Sequence, residues 1–179
     1  MQIEVETKVQ IQNPTEIRKK IKTFAKFKKK IQKQDTYYTF KTTKNYPDER
    51  FRIRRSDGNY IINFKHRESP LKKIQIKEEF EFQIKDINAF KRFLKEFNFK
   101  PFIHKIKNSE VYKYKNTNIE LNYVKHLGYF IEIENITKNG RITKAKQEIN
   151  EILKKLKIKP QQINNKGYTR MLYEKGIKT

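Results

Sequence analysis

The 179-residue chain contains no cysteine and no tryptophan, and it has only five glycines. The lack of cysteine excludes disulfide bonds and thiol chemistry. No apolar run approaches the roughly 20 residues that a bilayer-spanning helix needs, and no apolar signal segment opens the sequence. We therefore expect a soluble, cytoplasmic protein whose length fits a single domain over residues 1–179.

Basic charge is what the chain has in excess, with a formal net charge of +23 and a pI near 10.0. Such a charge is typical of proteins that bind nucleic acid or another polyanion. Lysine carries most of it, and a lysine-rich composition is also typical of AT-rich genomes. Arginine is more informative, because four of the nine arginines lie in the stretch RFRIRR at 50–55. The fork-shaped guanidinium suits phosphate oxygens.

The hydrophobic pattern predicts more strands than helices. Alternation predicts strands at 2–11, 34–43, 50–55, 59–66, 73–84, 102–107, 110–115, 117–124 and 129–135. Helical periodicity predicts helices at 14–29, 86–97 and 143–158, capped by Asn13, Asp86 and Thr143, and a short helix near 167–174. Turn residues at 56–59 and 115–118 predict tight hairpins, so we expect antiparallel neighbours.

The strands share an unusual feature, because acids and bases repeat together on one face of each. In the first strand Glu4, Glu6 and Lys8 alternate with apolar residues, and residues two apart on a strand share a face. The same sorting places these further charges on one face: Arg52, Arg54, Lys65, Lys77, Glu79, Glu81, Lys105, Lys107, Glu120, Glu132 and Glu134. A row of both signs on one face favours a lined interior over a solvated surface.

About eight amphipathic strands can close into a barrel with room for one small ligand. We therefore predict an α+β fold, an antiparallel, closed or nearly closed eight-stranded β-barrel that forms a tunnel, with helices packed on the outside. Buried charges are costly unless they are paired or bound to an ion. Carboxylates without histidine or cysteine suit hard cations such as Mg²⁺ or Mn²⁺, while lysine and arginine suit phosphate. A metal polyphosphate meets both demands.

The order of these motifs resembles the CYTH superfamily, or triphosphate tunnel metalloenzymes, over nearly the full chain. The amino-terminal ExExK motif is similar to residues 4–8, the Asp-x-Tyr strand to QDTYY at 34–38, and the arginine strand to DERFRIRR at 48–55. Residues 63–65, 77–81 and 105–107 resemble the next three elements. The most extensive similarity is IELNYVKHLGYFIEIE at 119–134, which departs from the family pattern where Asn122 replaces aspartate. Lys77 and Lys107 stand where the family has arginine.

The resemblance implies roles for individual residues. It implies a metal site formed by Glu4, Glu6, Glu79, Glu81, Asn122, Glu132 and Glu134, with Mg²⁺ or Mn²⁺ as cofactor. It implies a catalytic role for Lys8, and triphosphate binding by Lys8, Arg52, Arg54, Lys65, Lys77, Lys105 and Lys107. The last predicted helix could also bring Lys166, Tyr168 and Arg170 to a tunnel mouth. We interpret the tyrosines of the predicted strands as packing residues and not as base-stacking platforms: Tyr37, Tyr38, Tyr112, Tyr114 and Tyr123.

The expected function is that of a class IV adenylyl cyclase-like enzyme, converting ATP to cyclic AMP and pyrophosphate, or a closely related triphosphatase. Hydrolysis of inorganic or thiamine triphosphate is the alternative reaction. A non-catalytic alternative is a polyanion- or RNA-binding or triphosphate-sensing protein. The expected partner is a small-molecule triphosphate, with no membrane, and with a homodimer implied by the family alone. Nucleic acid is not expected, because the six acids of the implied metal site, which lie on the sorted faces, would repel it.

Overall fold

The computed structural model describes residues 3–40, 46–47, 50–67, 74–138, 141–164 and 166–177, with the backbone alone for 65–67 and 75–79. Eight strands dominate this part of the chain. They are β1 Ile3–Ile11, β2 Lys26–Thr39, β3 Phe51–Ser56, β4 Asn59–Arg67, β5 Gln75–Ile84, β6 Lys100–Tyr114, β7 Thr117–Val124 and β8 Gly128–Thr137.

The strands form a closed antiparallel barrel in the order β1-β5-β4-β3-β2-β6-β7-β8. Closure depends on β1, which pairs along its whole length with β8 but only through residues 3–6 with β5. The two predicted hairpin turns join β3 to β4 and β6 to β7. Asp57 and Gly58 adopt the positive φ values of 50° and 78° that suit a two-residue hairpin with the strand twist found in barrels. The predicted fold is confirmed.

Within the described residues, four α-helices accompany the barrel: α1 Pro14–Lys22, α2 Ile87–Glu96, α3 Ile142–Lys155 and α4 Tyr168–Glu174. The Asn13 side chain accepts a hydrogen bond from the Glu16 amide at 3.1 Å, and Asp86 caps α2 in the same way. These two predicted caps are confirmed, because a side-chain oxygen satisfies an amide that the first helical turn leaves unpaired. Thr143 is not a cap, since α3 begins one residue before it.

Two other boundaries differ from the sequence prediction. The helix predicted at 14–29 ends at Lys22, and residues 26–29 belong to β2 instead. Lysine-rich segments have good helix propensity, but pairing of Lys26 to Thr39 with β6 outweighs that weak preference. The segments predicted as separate strands at 102–107 and 110–115 form the single strand β6. Predicted strand residues 41–43 lie outside the described residues.

Apolar side chains occupy the outer face of the barrel and the helices that cover it. Helices α1 and α3 contribute Ile17, Ile21, Ile149 and Ile152 to a core with the outer faces of β1, β7 and β8. A second core forms where α2 packs through Leu94 on β2, β3 and β4. Burying each such aliphatic side chain contributes about 1.5–3 kcal/mol. Because the apolar faces point outward to the helices, the charged faces point into the barrel.

One end of the barrel interior is apolar. Ile103, Val124 and Phe130 lie on the inner strand faces there, and α4 adds Tyr168 and Leu172 to the same buried cluster. The charged part of the interior therefore begins where this cluster ends. No helix in the described part of the chain is both long and apolar enough to cross a bilayer.

Candidate active site

The barrel encloses a cavity of about 720 Å³, called the lumen below. It is lined by ten of the residues selected from the sequence: Glu4, Glu6, Lys8, Arg52, Arg54, Glu81, Lys105, Lys107, Glu132 and Glu134. Asn122 lies fully buried next to this lining. The side chains of Lys65, Lys77 and Glu79 are outside the described atoms, and the strand register pairs Lys65 with Glu79 and Glu4 with Lys77.

The strands β2, β3 and β6 form a basic wall organised by one buried acid, Asp35. Arg54 donates two hydrogen bonds to the Asp35 carboxylate, at 2.8 and 3.0 Å, and the Lys105 ammonium lies 2.9 Å from it. Arg52 approaches the same carboxylate at 3.8 Å. Burial alone would raise the pKa of Asp35, but the three cations outweigh burial and hold it well below its usual range. A single carboxylate thus fixes three cations that line the lumen.

Tyr37 shares this wall two residues after Asp35. Lys105 lies 3.4 Å from its phenol oxygen, and its ring is in contact with Phe102. Burial would raise the phenol pKa, yet Lys105 and Arg52 outweigh it and lower the pKa of Tyr37 to about 7. The phenol can therefore exchange a proton near neutral pH, a property that the sequence interpretation as a packing residue did not include.

A second network joins the basic wall to the acidic strands β7 and β8. Lys107 lies 2.7 Å from both Glu120 and Glu132, and Lys33 lies 2.8 Å from Glu120. Burial would lower the pKa of Lys107, but the two carboxylates more than compensate and raise it. Lys107 is therefore a charged bridge between the walls, with both nearby acids held ionised.

Asn122 has both ends of its amide engaged in this network. Its nitrogen donates to Glu132 at 2.7 Å, and its oxygen accepts from the Ser109 hydroxyl at 2.6 Å. The hydrogen-bond partners fix this amide orientation, since only the nitrogen can donate to a carboxylate. An aspartate here would face Glu132 with a like charge. Asn122 therefore orients Glu132 in this structure, and its role as a metal ligand stays a prediction.

Carboxylates crowd together on the acidic wall formed by β1, β7 and β8. Burial raises the pKa of Glu134 well above its ordinary value, and the neighbouring Glu4 raises it further, with smaller contributions from Glu120 and Glu6. Crowding of like charges is the environment that a bound cation would relieve. Within the described residues, however, no three acidic or histidine side chains form a ready-made metal shell.

Lys8 and Glu81 complete the lining at two further positions. The Lys8 ammonium donates to the backbone oxygen of Lys166 and lies 4.2 Å from the centre of the Tyr168 ring. Asn63 donates to Glu81 at 3.0 Å across the β4–β5 pair. The buried Tyr168 hydroxyl makes no hydrogen bond of ordinary geometry within the described residues. Of the three candidates from the last helix, Tyr168 lines the lumen, while Lys166 and Arg170 pair with Glu174.

Several residues that line or brace the lumen are not among the site residues predicted from the sequence. Asp35 lies in QDTYY, a segment whose resemblance to the Asp-x-Tyr strand implies no role for the acid. Glu120 shares a face with Asn122 and was sorted inward but not selected. Lys33 precedes the predicted start of its strand at 34, so its face could not be assigned. A correct start for β2 would have placed Lys33, Asp35 and Tyr37 on the inward face together.

The fold and the lining define the class of protein: an eight-stranded antiparallel barrel whose lumen has an acidic wall opposite a basic wall. A family model described as the CYTH domain matches residues 2–168, and the chain belongs to the CYTH family. A Methanocaldococcus jannaschii protein named "Putative adenylate cyclase" is 34% identical over 176 residues, covering 93% of this chain and 96% of that protein.

Solved structures show the same fold. The PH1012 protein from Pyrococcus horikoshii is 27% identical with a TM-score of 0.78, covering 93% of this chain and 97% of that one. The PH1819 protein from the same organism has the same identity and TM-score, covering 96% and 99% of the two chains. The similarity therefore extends along the whole barrel and is not confined to one motif.

Proposed function

We propose that this protein is a metal-dependent enzyme that acts on a triphosphate in the lumen, and that it converts ATP to cyclic AMP and pyrophosphate. The observation that carries the proposal is the pair of facing walls, with Arg52, Arg54 and Lys105 on one and Glu4 and Glu134 on the other. In a metal triphosphate, the negative phosphates complement the basic wall and the positive metal ion complements the acidic wall. The name of the 34% identical relative supports cyclisation as the reaction.

The basic wall would hold the phosphate chain. Asp35 neutralises one of the three cations around it, so the group keeps an excess of two positive charges toward the lumen. Arg54 is held by a two-point contact, which removes side-chain freedom before the substrate arrives. Preorganised cations of this kind stabilise charge that develops on phosphate oxygens without rearranging.

The acidic wall would hold the metal. Glu4, Glu6, Glu132 and Glu134 supply the carboxylate oxygens that Mg²⁺ and Mn²⁺ prefer, and the raised pKa of Glu134 reflects burial and like-charge crowding that a cation would reduce. When bound, the ion would neutralise phosphate oxygens and align the chain. Lys107 keeps Glu132 ionised, and Asn122 keeps it oriented.

The residues of the chain also provide for proton transfer. In cyclisation the ribose 3′-hydroxyl oxygen forms a bond to the alpha phosphorus, the bond to pyrophosphate breaks, and the hydroxyl proton must leave. With a pKa of about 7, the phenolate of Tyr37 is a suitable proton acceptor at neutral pH. Lys8, whose ammonium lies against the Tyr168 ring, would contact a terminal phosphate oxygen.

Hydrolysis of a triphosphate is the second candidate. It is favoured by the lumen lining, in which acidic and basic side chains predominate, so that the lumen matches a chain of phosphates with its counter-cation better than it matches a base. The same residues would serve this reaction, with water in place of the ribose hydroxyl. Inorganic and thiamine triphosphate are the corresponding substrates.

Product analysis separates these reactions. The protein is incubated with ATP, inorganic triphosphate and thiamine triphosphate, each with Mg²⁺ or Mn²⁺, and products are resolved by chromatography. We expect cyclic AMP and pyrophosphate from ATP, and at least a hundredfold lower rate for Arg54→Ala, on the scale of losing one preorganised donor. Lys91→Gln, an exposed substitution on α2, serves as the control.

Phosphate release without cyclic AMP would establish the hydrolase instead. Binding of a triphosphate without any turnover, with either metal, would identify a sensor and overturn the enzyme proposal.

A further inference from the structure

A second cavity of about 510 Å³ lies on the outer face of the barrel beside α1, and we call it the outer groove. It shares no lining residue with the lumen. Its lining consists of Arg18, Lys30, Ile31, Gln32, Asn108, Ser109, Glu110, Leu121, Tyr123 and Tyr129. The outer groove is therefore a separate concave surface that the proposed triphosphate chemistry does not use.

A continuous row of polar and aromatic side chains runs across the floor of the outer groove. The strand register pairs Gln32 with Asn108, Asn108 with Tyr123, and Tyr123 with Tyr129, through β2, β6, β7 and β8. Three strand spacings make this row about 14 Å long. The Gln32 amide donates to Asn108 at 2.9 Å. The row thus places amides at one end and aromatic rings at the other.

The two tyrosines present their rings to solvent. Tyr123 is 41% and Tyr129 38% exposed, and their ring centres are 5.0 Å apart. Aromatic pairs on neighbouring strands often stabilise a sheet, but packing alone does not require this much exposure. Exposed rings next to hydrogen-bonding amides are a suitable surface on which nucleobases can stack.

Lysines extend from the amide end of the outer groove along β2. Lys26, Lys28, Lys29 and Lys30 are all exposed, and Phe27 among them is 46% exposed. Along its first half β2 pairs with β6, and its pairing with β3 starts only at Gln34. Before Gln34, the side of β2 that faces away from β6 is an unpaired sheet edge among the residues that the structure describes, and lysines on such edges discourage aggregation. Protection of the edge would explain the lysines, but it would not explain the adjoining groove with its exposed tyrosines.

The distribution of charge favours an anionic partner at this surface. Among the described residues that line or brace the lumen, seven are acidic and seven basic, when Asp35 is counted with the lining. The formal charge of +23 therefore belongs to the rest of the chain. The sequence-based expectation against nucleic acid rests on the six acids of the implied metal site, and all six belong to the inward faces of the strands. Five of them line the lumen, and the side chain of Glu79 is outside the described atoms.

We propose that the outer groove and the adjoining lysines of β2 bind single-stranded nucleic acid, with bases stacked on Tyr123 and Tyr129 and phosphates bound by Lys28 and Lys30. The proposal does not depend on the reaction in the lumen. It favours a nucleic acid over an anionic membrane, because a lipid surface offers no aromatic faces to the exposed rings and no base edges to the amides.

Fluorescence anisotropy with a labelled RNA of about 12 nucleotides tests the proposal, a length within the site sizes of single-strand binders. The RNA carries a 5′-hydroxyl, so it presents no triphosphate to the lumen. We expect Tyr123→Ala and Tyr129→Ala each to weaken binding about tenfold, as loss of one stacked base does. Tyr123→Phe keeps the ring and should restore binding. Phe93→Ala, at an exposed phenylalanine on α2, is the matched control.

Salt titration tests the lysines. The double variant Lys28→Gln/Lys30→Gln should reduce the slope of log affinity against log salt by about 1.4, since each phosphate contact to a single strand contributes about 0.7. Lys91→Gln/Lys95→Gln on α2 removes the same charge elsewhere and should leave the slope unchanged.

Three outcomes would overturn the proposal. Equal losses in the α2 controls would show that binding follows net charge alone. Displacement of the RNA by inorganic triphosphate would place it in the lumen. If the groove variants lose binding to vesicles of anionic lipid but keep RNA affinity, the surface is a membrane site. Thermal melting of each variant confirms that it is folded.

Discussion

Asp35 is the residue on which the basic wall depends, because it separates three cations that would otherwise repel one another. Replacing it with asparagine keeps the shape but leaves those buried charges uncompensated. We expect Asp35→Asn to lower the free energy of unfolding by about 3–5 kcal/mol, measured by urea denaturation. Asp57→Asn is the matched control, since Asp57 forms an exposed, 3.6 Å ion pair with Lys29, and such pairs contribute little.

The effect of Asp35 should also depend on pH. Its pKa is lowered in the folded state, so its contribution to stability is complete above the unfolded pKa of about 3.9 and is lost as pH falls through the folded pKa. The stability difference between the protein and Asp35→Asn should therefore be constant at neutral pH and shrink in strong acid. A difference that grows on acidification would contradict the assignment of Asp35 as an ionised, paired carboxylate.

Tyr37 gives a separate pH prediction, on activity. With a phenol pKa near 7, the phenolate fraction rises through neutral pH, and the turnover rate should rise with it. Tyr37→Phe should lower the rate by about 10²–10⁴-fold and remove this dependence. Tyr38→Phe is the control, because burial raises the pKa of Tyr38 and its ring stacks on Phe51 in the outer core. An unchanged pH profile in Tyr37→Phe would exclude the phenol as proton acceptor.

Asn122 is where this chain departs from the CYTH pattern at the acidic wall. Asn122→Asp replaces a donor to Glu132 with a like charge, so we expect a loss of about 1–3 kcal/mol in unfolding free energy without added metal. Added Mn²⁺ should then stabilise the variant more than the natural chain. The measurement is the change in melting temperature that Mn²⁺ causes in each protein. Asn150→Asp, at an exposed position on α3 outside the lumen lining, should show neither effect. Equal metal responses would exclude this site from metal binding.

The sequence predicts the inward residues well where the strand pattern is clear. Glu4, Glu6 and Lys8 follow strict alternation in β1, and all three line the lumen. Partners are harder to predict, because a contact such as Asp35 with Arg54 depends on the register between β2 and β3. Local pattern specifies the face on which a residue lies, whereas pairing between distant segments specifies its neighbours.

Among the elements, α4 has a defined role because it closes one end of the lumen. Tyr168 packs its ring on Phe130 and under the Lys8 ammonium, while its hydroxyl is buried. We expect Tyr168→Ala to lower unfolding free energy by about 3–5 kcal/mol, as for other buried aromatic truncations. Tyr168→Phe keeps the ring contacts and should be close to neutral. Urea denaturation of both variants measures these changes. A large loss of unfolding free energy in Tyr168→Phe would show that the hydroxyl, and not the ring, makes the stabilising contact.

The elements also show the limit of periodicity. Residues 23–29 continue the helical pattern of α1 well enough to predict a helix to 29, but the chain turns at Thr23 and enters β2. In this barrel β2 pairs with β6 from Lys26 onward, whereas it pairs with β3 only from Gln34. This tertiary pairing outweighs the local helix propensity of residues 26–29. The same competition explains why the breaks predicted between 107 and 110 do not occur in β6.

At the scale of the whole molecule, we expect the two walls to make the binding of a cation and of an anion interdependent. Each ligand relieves the repulsion that the other would meet, so Mg²⁺ and inorganic triphosphate together should raise the melting temperature by more than the sum of their separate shifts. With each ligand at a concentration of a hundred times its dissociation constant, the joint shift in melting temperature should be about 5–10 °C. Differential scanning fluorimetry measures it, and Glu4→Gln should abolish the synergy. Purely additive shifts would show that the walls act independently.

The position of β1 between β5 and β8 governs how the molecule can fold. Residues 3–11 pair with β8 residues more than 100 positions away along the chain, and residues 3–6 also pair with residues 75–78 of β5. The acids and the lysine of β1 are therefore not enclosed until the last strand is made. Contacts between residues this far apart in sequence slow folding, because the entropy of closing the loop between them is lost before the contacts contribute stability. Synthesis must therefore reach Thr137 before β1 can complete its pairing and the charged lumen can be enclosed.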